Sequence, residues 1–296
     1  MSESADSPPV TVRSALQKGY AALFHAKADT PVLDSAVLLA EAMGVTKERL
    51  FSSLPEEIDP ERNRLFRRYV DQRVSGIPVS YIRRKKEFFG LEYYVDRRVL
   101  VPRPETELLV EEAVELAAAR GNLRDMHDAC TGSGCVSIAV KKHLPHLLVS
   151  ASDVSRETQA VFRINCRRIL GYQLPFWISD LFTEIAGRFD LITANPPYLT
   201  ATEVDNMKRI GWPEPESALR GGTDGMAVVH RVVSESKDRL RPGGYLLLEA
   251  AESQIPGLAA LMRRSGYWDV SVRKDLAGRD RILRGKRLVH GRLGSY

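Results

Sequence analysis

The sequence predicts an α/β protein in which a small helical domain precedes a larger domain built on a mostly parallel sheet with an antiparallel last strand. Three observations support this fold class. Apolar residues recur at helical spacing from about residue 11 to 80, short apolar strands alternate with helical stretches from about residue 104 onward, and only a few residues separate the last two strands. Because a parallel crossover needs about a dozen residues, those two strands are expected to be antiparallel.

The first 80 residues predict three short helices. One apolar face, at spacings of i, i+4, i+7 and i+8, defines the first helix and is formed by Leu16, Tyr20, Leu23 and Phe24. The second helix runs from near Pro31 to Gly44, a residue type that commonly ends helices. The third starts with Asp59 as its N-cap and Pro60 at the first helical position.

Residues 87–101 change to a period of two, which is typical of strands. The alternating residues are Phe89, Leu91, Tyr93 and Val95 before Asp96, and Val99 and Val101 after it. We therefore expect a β-hairpin that turns at Asp96 and links the two domains. A helix is predicted over Pro104 to Gly121. Seven strands are predicted at or around residues 127–128, 148–151, 176–178, 191–194, 245–248, 270–273 and 281–283.

These boundaries divide the chain into five parts. A length of 296 residues suits two domains of ordinary size. The predicted parts are a disordered tail at 1–10, the helical domain at 11–85, the hairpin linker at 86–103, the sheet domain at 104–287 and a C-terminal tail at 288–296.

Composition limits the class of protein. Apolar residues make up 44% and charged residues 27%, the balance of a globular protein. No run of about 18 apolar residues occurs, and the first residues, MSESADSPPV, lack the features of a secretory signal or transit peptide, so we expect no membrane association. Three cysteines without a Cys-x-x-Cys pair, and six histidines without partners at ligand spacing, predict a cytoplasmic protein with no metal.

Positive charge is concentrated in two places. The net charge is +5, and between Arg263 and Tyr296 ten Lys or Arg residues stand against three Asp or Glu. A second basic run extends from Arg83 to Lys86. Two interpretations remain open: a solvated basic face, or contact with an acidic or RNA-associated partner.

A glycine-containing loop follows the first strand of the predicted sheet. Its sequence is Asp128-Ala129-Cys130-Thr131-Gly132-Ser133-Gly134-Cys135, and small glycines let a backbone turn tightly and approach a ligand. A dinucleotide site would favour a third glycine near position 137, where Ser137 stands. The loop therefore suits a nucleoside ligand without phosphates, such as S-adenosylmethionine, although an ordinary strand-to-helix turn is the alternative.

Polar residues also follow the next two strands. Asp153 lies about 20 residues beyond the glycine loop, where a carboxylate can accept both ribose hydroxyls. Its alternative role is capping the helix that starts near Ser155. Asp180 could meet an adenine amino group and Leu181 could pack on the ring, but a local turn explains Ser179-Asp180-Leu181 nearly as well.

The sequence Asn195-Pro196-Pro197-Tyr198 directly follows the apolar strand that ends at Ala194. Two prolines remove two backbone N–H donors, which leaves the Asn195 oxygen and the backbone carbonyls as acceptors. Tyr198 adds a flat face for a planar group. This segment predicts a binding site for a substrate that offers an –NH2 group, such as an amide or a base.

Taken together, these residues resemble the HemK/PrmC family of protein-glutamine methyltransferases. The resemblance covers nearly the whole chain, from about Ser14 to Arg287. The segments that carry it include Pro102 to Glu107, Thr131 to Gly134, Asn195 to Tyr198, Gly221 to Gly225 and Asp275 to Arg281.

The resemblance implies a Rossmann-like, class I S-adenosylmethionine-dependent methyltransferase fold. It also implies methyl transfer to the glutamine of the Gly-Gly-Gln motif in class I peptide chain release factors, with S-adenosylhomocysteine as the product and the helical domain recognising the substrate. We expect a monomer without stable nucleic-acid binding. The implied cofactor-binding residues are Cys130, Thr131, Gly132, Ser133, Gly134, Asp153, Asp180, Leu181 and Asn195. The implied substrate-binding residues are Asn195, Pro196, Pro197 and Tyr198, of which Asn195, Pro196 and Tyr198 are expected to be catalytic.

The chain departs from the family pattern at four places. Cys130 replaces a more usual glycine, Leu181 replaces an aromatic residue of some members, Arg83-Arg84 replaces an aliphatic-glycine pair, and Glu249-Ala250-Ala251 replaces Glu-Ile-Gly. Three alternative functions remain: methylation of a glutamine in a large-subunit ribosomal protein, N6-adenine methylation of nucleic acid, and non-catalytic binding of ribosomal RNA. The Cys-Thr-Gly-Ser-Gly-Cys loop favours the first of these, whereas Arg-Pro-Glu-Thr-Glu (103–107) and Asp-Leu-Ala-Gly-Arg-Asp-Arg (275–281) favour release factors, which we place first.

Overall fold

The computed structural model describes residues 9–288, which form two compact units. The first comprises residues 9–84 and 211–213, and the second comprises residues 85–210 and 214–288. Each unit is described separately below. Within residues 9–288, no helix combines the length and the apolar character that a bilayer span requires.

The first unit is helical. Its helices are α1 (Val12–His25), α2 (Pro31–Met43), α3 (Lys47–Ser52), α4 (Pro60–Val74) and α5 (Val79–Arg83). The predicted ends of α2 and α4 are confirmed, because Gly44 caps α2 with a φ of 70° and Asp59 accepts hydrogen bonds from the first backbone N–H groups of α4.

The predicted apolar face of α1 is wrong in part. The buried residues of this helix are Val12, Ala15, Gly19 and Leu23. Tyr20 and Phe24 are exposed, and their rings lie 5.7 Å apart. Gly19 takes the central position of the buried face, because a Cβ atom there would come within 2.4 Å of the Phe66 ring. The helical pattern was therefore predicted correctly, but the face is rotated toward small residues that permit close packing.

The predicted hairpin is also shifted along the chain. Strands β1 (Lys86–Phe88) and β2 (Leu91–Tyr93) pair antiparallel and turn at Phe89 and Gly90, both of which have positive φ. A two-residue turn of this kind matches the twist of the flanking strands. Asp96 does accept a hydrogen bond from the Val99 backbone N–H, but no strand flanks this second turn. Residues 94–103 are irregular and form part of the pocket wall described below.

The second unit contains a seven-stranded sheet, as predicted. The strands are β3 (Asp125–Ala129), β4 (Leu148–Asp153), β5 (Phe176–Ile178), β6 (Phe189–Ala194), β7 (Leu240–Glu249), β8 (Tyr267–Lys274) and β9 (Asp280–Arg287). They are ordered β5-β4-β3-β6-β7-β9-β8. The first five in this order are parallel, and β9 pairs antiparallel with both β7 and β8. The expected antiparallel last strand is confirmed.

Six helices connect these strands or precede them. They are α6 (Glu107–Arg120), α7 (Cys135–His143), α8 (Arg156–Ile169), α9 (Ala201–Arg209), α10 (Ala227–Arg239) and α11 (Ile255–Arg264). The central strands are buried, and His127 on β3 is fully enclosed between the hydroxyls of Ser150 and Ser152. Burial lowers the pKa of His127 to about 3, so this histidine is a neutral core residue.

Strand register brings four chain segments to one edge of the sheet. Ala129 lies opposite Ser152 on one side and Ala194 on the other, and Ala194 lies opposite Leu248. The residues that follow β3, β4, β6 and β7 therefore meet at the carboxyl edge. The chain runs from β3 to β4 and β5 on one side of the sheet and then returns to β6 on the other side of β3. In open α/β sheets, ligands bind at the point where the strand order reverses in this way.

Candidate active site

A cavity of about 180 Å³ opens at this carboxyl edge of the second unit. Its walls come from the ends of β3, β4, β5 and β6 and from the irregular segment before α6. Residues predicted to bind ligand that line it are Cys130, Thr131, Gly132, Ser133, Asp153, Asp180, Leu181, Asn195 and Pro197. Gly134, Pro196 and Tyr198 do not line it.

The glycine loop turns through three residues with positive φ. They are Cys130 at 57°, Gly132 at 54° and Gly134 at 82°. A Cβ atom on Gly134 would come within 2.6 Å of the Phe162 ring, so this glycine permits close packing of the loop on α8. A Cβ atom on Gly132 would meet nothing within 4 Å, because Gly132 faces the cavity.

A buried carboxylate that the sequence analysis missed holds the base of this loop. Asp128 accepts hydrogen bonds from the hydroxyls of Thr131, at 2.5 Å, and Thr193, at 2.6 Å. Burial raises the pKa of Asp128 to about 6, and these hydroxyls oppose the shift. The available signal was an acidic residue near the end of the strand that leads directly into the glycine loop.

Asp153 lies where both of its predicted roles are possible. One carboxylate oxygen accepts the backbone N–H of Gly132 at 3.0 Å, and the other accepts the backbone N–H of Ser155 at 3.0 Å. The residue thus ties the glycine loop to the start of α8 and also faces the cavity. Burial raises its pKa, and the two backbone donors oppose that shift. A carboxylate has about four acceptor positions, so two remain for hydroxyl groups of a ligand.

The segment after β5 forms one rim of the cavity. Leu181 has a φ of 50°, is 5% exposed and packs in the apolar core while its surface contributes to the cavity wall. Asp180 is exposed, and both of its oxygens accept from Arg231 at 3.0 Å. The Ser179 hydroxyl donates to the Leu181 carbonyl, so it fixes this turn. Both predicted residues therefore border the cavity, and Asp180 is also held by a cation.

Asn195 is held by a residue that the sequence analysis did not assign. Its Nδ2 donates to the Thr106 hydroxyl at 3.1 Å, and both side chains line the cavity. None of the hydrogen bonds found among the described residues engages the Asn195 Oδ1 atom. Pro196 is buried and Pro197 lines the cavity. Because neither proline carries an N–H, the segment presents acceptors to a ligand.

The chain after Asn195 is fixed by a second segment. The backbone of Leu199 exchanges hydrogen bonds with the Leu219 carbonyl and the Gly221 N–H. Gln254 donates from one amide nitrogen to the Tyr198 carbonyl, at 3.0 Å, and to the Gly225 carbonyl, at 3.2 Å. A Cβ atom on Gly221 or Gly225 would collide with backbone atoms of residues 197–198. These contacts explain the glycines of residues 221–225 as packing residues that support the Asn195 segment.

Tyr198 packs against the apolar core instead of lining the cavity. Burial raises its pKa to about 12, so the phenol is neutral at physiological pH. The pKa of the Cys130 thiol is also raised well above its usual range by burial. A neutral thiol is a weak nucleophile, so the cavity provides no activated cysteine at Cys130.

The groups that line the cavity fit S-adenosylmethionine. Ser133 Oγ is buried and is one of the few such atoms in the described chain without a hydrogen-bond partner, which leaves it for a polar ligand group. The open space at Gly132 lets a ligand approach the backbone. Asp153 supplies acceptors for hydroxyls, and Leu181 and Val154 supply apolar surface. This combination of a free hydroxyl, a carboxylate and apolar surface suits a nucleoside joined to an amino acid.

Two protein-family models match separate parts of the chain. Residues 14–83 match the PrmC N-terminal domain, and residues 104–210 match the methyltransferase small domain. Together with the sheet order and the cavity at its carboxyl edge, the second match defines the protein as a methyltransferase of the Rossmann-like class.

Relatives of full length identify the family within this class. The release factor glutamine methyltransferase of Rhodopirellula baltica is 34% identical over 294 residues, which cover 96% of this chain and 98% of that protein. The enzymes of the same name from Clostridium acetobutylicum and Deinococcus radiodurans are 32% and 33% identical and cover 92% and 93% of this chain. The chain belongs to the release factor glutamine methyltransferase family.

Solved structures of lower identity share the fold. A methyltransferase from Pyrococcus furiosus aligns with a TM-score of 0.50 at 19% identity, covering 77% of this chain and 99% of its own. The catalytic domain of hMettl16, solved in complex with a MAT2A 3′UTR hairpin, aligns with a TM-score of 0.54 at 17% identity, covering 68% of this chain and 76% of its own. These similarities support the fold class alone.

Proposed function

We propose that this protein transfers a methyl group from S-adenosylmethionine to the side-chain amide nitrogen of the glutamine in the Gly-Gly-Gln motif of class I release factors. The observation that carries the proposal is the hydrogen-bonding state of Asn195. Its Nδ2 donates to Thr106, its Oδ1 is engaged by none of the hydrogen bonds of the described residues, and the next two residues lack N–H groups. Family membership over the whole length of the chain supports the same substrate.

An acceptor-rich site suits the chemistry of an amide. A glutamine nitrogen is a poor nucleophile because its lone pair is delocalised into the carbonyl group. If Asn195 Oδ1 and the Pro196 carbonyl accept its two N–H groups, the amide is held in one orientation and its lone pair is localised. The new N–C bond would form as the methyl–sulfur bond breaks, with S-adenosylhomocysteine as the leaving group, and the surplus proton of the nitrogen would pass to water. Catalysis then depends on orientation and electrostatic fit.

The cofactor cavity provides the other half of the site. When bound, S-adenosylmethionine supplies a methyl group made electrophilic by its sulfonium centre. Asp153 would hold the ribose hydroxyls, the loop from Cys130 to Ser133 would hold the methionine end, and Leu181 would contact the adenine. These residues and Asn195 lie at the same edge of the sheet because β3, β4 and β6 are in parallel register, so the bound cofactor would have its methyl group at that edge.

The partner is accordingly a release factor, and the proposed compartment is the cytoplasm, with the enzyme acting as a monomer. Much of the basic surplus in β8 and β9 is paired within the protein. Arg273 contacts Glu111, Glu112 and Glu115, and Arg284 contacts Glu112. This internal pairing favours a structural role for these charges over a nucleic-acid interface.

The first prediction tests substrate, chemistry and site together. Purified enzyme, S-adenosylmethionine and a release factor are incubated, and the Gly-Gly-Gln peptide is read by mass spectrometry. The wild type is expected to add one methyl group to the glutamine, and Asn195→Ala is expected to lower the rate by about 100- to 1,000-fold because an acceptor is lost.

Asn206→Ala is the matched control, because Asn206 is an exposed asparagine on α9 outside the cavity lining. It should retain the wild-type rate. An unchanged rate in Asn195→Ala would remove Asn195 from the mechanism. A methylated glutamine in a large-subunit ribosomal protein, or a methylated adenine in nucleic acid, with no product on the release factor, would replace the proposed substrate.

A further inference from the structure

Glu249 is a buried acidic residue at the end of β7 that the mechanism above does not use. It is 2% exposed, and Ala194 lies opposite Leu248 in the parallel register, so Glu249 and Asn195 each follow a paired position at the same edge. Glu249 Oε2 is buried and has no hydrogen-bond partner among the described residues. Burying a carboxylate this way costs free energy, which calls for a functional or structural reason.

Thr106 lies between this carboxyl group and Asn195. It is 3% exposed, lines the cavity and stands directly before α6, but its hydroxyl does not cap that helix. Instead the hydroxyl accepts from Asn195 Nδ2 at 3.1 Å. Burial raises the pKa of Glu249 to about 7, and hydrogen bonding to Thr106 opposes this shift. The Thr106 hydroxyl is therefore hydrogen-bonded to Asn195 and lies close enough to Glu249 to influence its carboxyl group.

The number of protons on each group decides which group donates in each of these hydrogen bonds. A threonine hydroxyl has one proton to donate. Since its oxygen receives the Asn195 N–H, its own proton is available for Glu249, and an ionised carboxylate can only accept. In this arrangement Asn195 donates to Thr106 and Thr106 donates to Glu249, so each contact has one donor and one acceptor. The reverse arrangement would leave the ionised Glu249 facing the oxygen lone pairs of Thr106.

We propose, resting on the function above, that Thr106 and Glu249 are positioning residues that fix the Asn195 amide with its nitrogen toward Thr106 and its oxygen toward the substrate. An asparagine amide has nearly the same shape when turned by 180°. Turned the wrong way, it would present N–H groups to the N–H groups of the glutamine. Fixing its orientation therefore decides whether the substrate amide is attracted or repelled.

The second prediction compares two substitutions at Thr106. Thr106→Val keeps the shape but removes the hydroxyl, and Thr106→Ser keeps the hydroxyl. We expect Thr106→Val to lower kcat by about 100-fold, with KM for the release factor and the affinity for S-adenosylhomocysteine changed by no more than about threefold. Thr106→Ser is expected to restore kcat to within about fivefold of the wild type. Equal losses in both variants, or no loss in Thr106→Val, would overturn the proposal.

A second measurement tests the positioning without using methyl transfer. The chain contains five asparagines, so protein labelled with ¹⁵N only at asparagine gives a sparse spectrum of side-chain amides. Asn195→Asp identifies the Asn195 signals by their disappearance. In the presence of S-adenosylhomocysteine, these signals should move in Thr106→Val and in Glu249→Gln but stay near the wild-type position in Thr106→Ser.

The two measurements separate the two proposals. If the wild type methylates no release factor but the Asn195 signals respond as expected, the substrate is wrong and the positioning role stands. If release factor is methylated and the signals do not respond to Thr106→Val, the substrate stands and the positioning role is wrong. Retained binding of S-adenosylhomocysteine, measured by calorimetry, excludes misfolding as the reason for any loss.

Discussion

Cys130 occupies a backbone conformation that glycine adopts more easily. Its φ of 57° lies in the left-handed region, which glycine adopts without the steric cost of a side chain. A side chain in this region costs about 1 kcal/mol. The loop therefore adopts at Cys130 a backbone conformation that is typical of glycine, although this residue carries a side chain.

The third prediction follows from this conformation. Cys130→Gly should leave the free energy of unfolding within about 1 kcal/mol of the wild type, because relief of strain offsets lost contacts and the greater freedom of the unfolded chain. Cys130→Val should lower it by about 2 kcal/mol, because a β-branched side chain fits this region poorly. Urea unfolding measures both, and equal stability of the two variants would contradict the explanation.

Glu249 provides the fourth prediction, which concerns stability and pH. Its pKa rises from 4.5 in the unfolded chain to about 7 in the folded protein, so the folded state disfavours its charged form. The destabilisation is absent below pH 4.5, grows as the pH rises through 7 and is constant above it. Glu249→Gln removes this titration.

The free energy of unfolding of Glu249→Gln should therefore exceed that of the wild type by an amount that grows with pH and is on the order of 3 kcal/mol at pH 8. Urea unfolding of both proteins at pH 5 and pH 8 gives the comparison. A stability difference that does not change with pH would show that the carboxyl group titrates normally. Gained stability with reduced kcat would indicate that the buried charge is kept for function.

At the scale of elements, the glycine loop depends on its contact with α8. Gly134 is where the loop backbone comes closest to Phe162, whereas Gly132 faces open space. Both have positive φ. Two glycines in one short motif thus serve different purposes, one for packing and one for access to the cavity.

The fifth prediction separates these purposes. Gly134→Ala should lower the free energy of unfolding by about 2 to 4 kcal/mol, because it adds both backbone strain and a collision with Phe162 and Ile138. Gly132→Ala should cost only about 1 kcal/mol of stability but weaken S-adenosylhomocysteine binding by about tenfold or more. Thermal unfolding and calorimetry distinguish the two, and the reverse pattern would exchange the assigned roles.

Prediction of elements from sequence failed where two patterns overlapped. Alternation continues past Tyr93 to Val95 and resumes at Val99 and Val101, so periodicity alone could not show that pairing stops at Tyr93. The turn at Phe89 and Gly90 closes the hairpin first, because both residues take the left-handed conformation that a two-residue turn requires. The signal was the glycine at position 90, which the alternation of its neighbours concealed.

At the scale of the whole molecule, net charge was a poor guide to partners. Positive charge is in surplus from Arg263 onward, but several of these residues pair with acids, some on α6 and some nearby in sequence. Arg273 meets Glu111, Glu112 and Glu115 on α6, and Asp275 meets Arg279 and Arg281. Asp275 has its pKa lowered to about 2 by these partners against the effect of burial. Residues 1–8 of the predicted N-terminal tail and residues 289–296 of the predicted C-terminal tail lie outside the described residues.

The sequence by itself determined the fold class and the positions of the motifs after successive strands, and it predicted the type of substrate group. Alternating periods and the Asn195-Pro196-Pro197-Tyr198 segment are local properties, so they can be read without coordinates. The roles of Asp128, Thr106, Glu249 and Gln254 were decided only by the tertiary structure. Each acts on a partner from another strand or loop, and only the tertiary structure shows which segments distant in sequence come together.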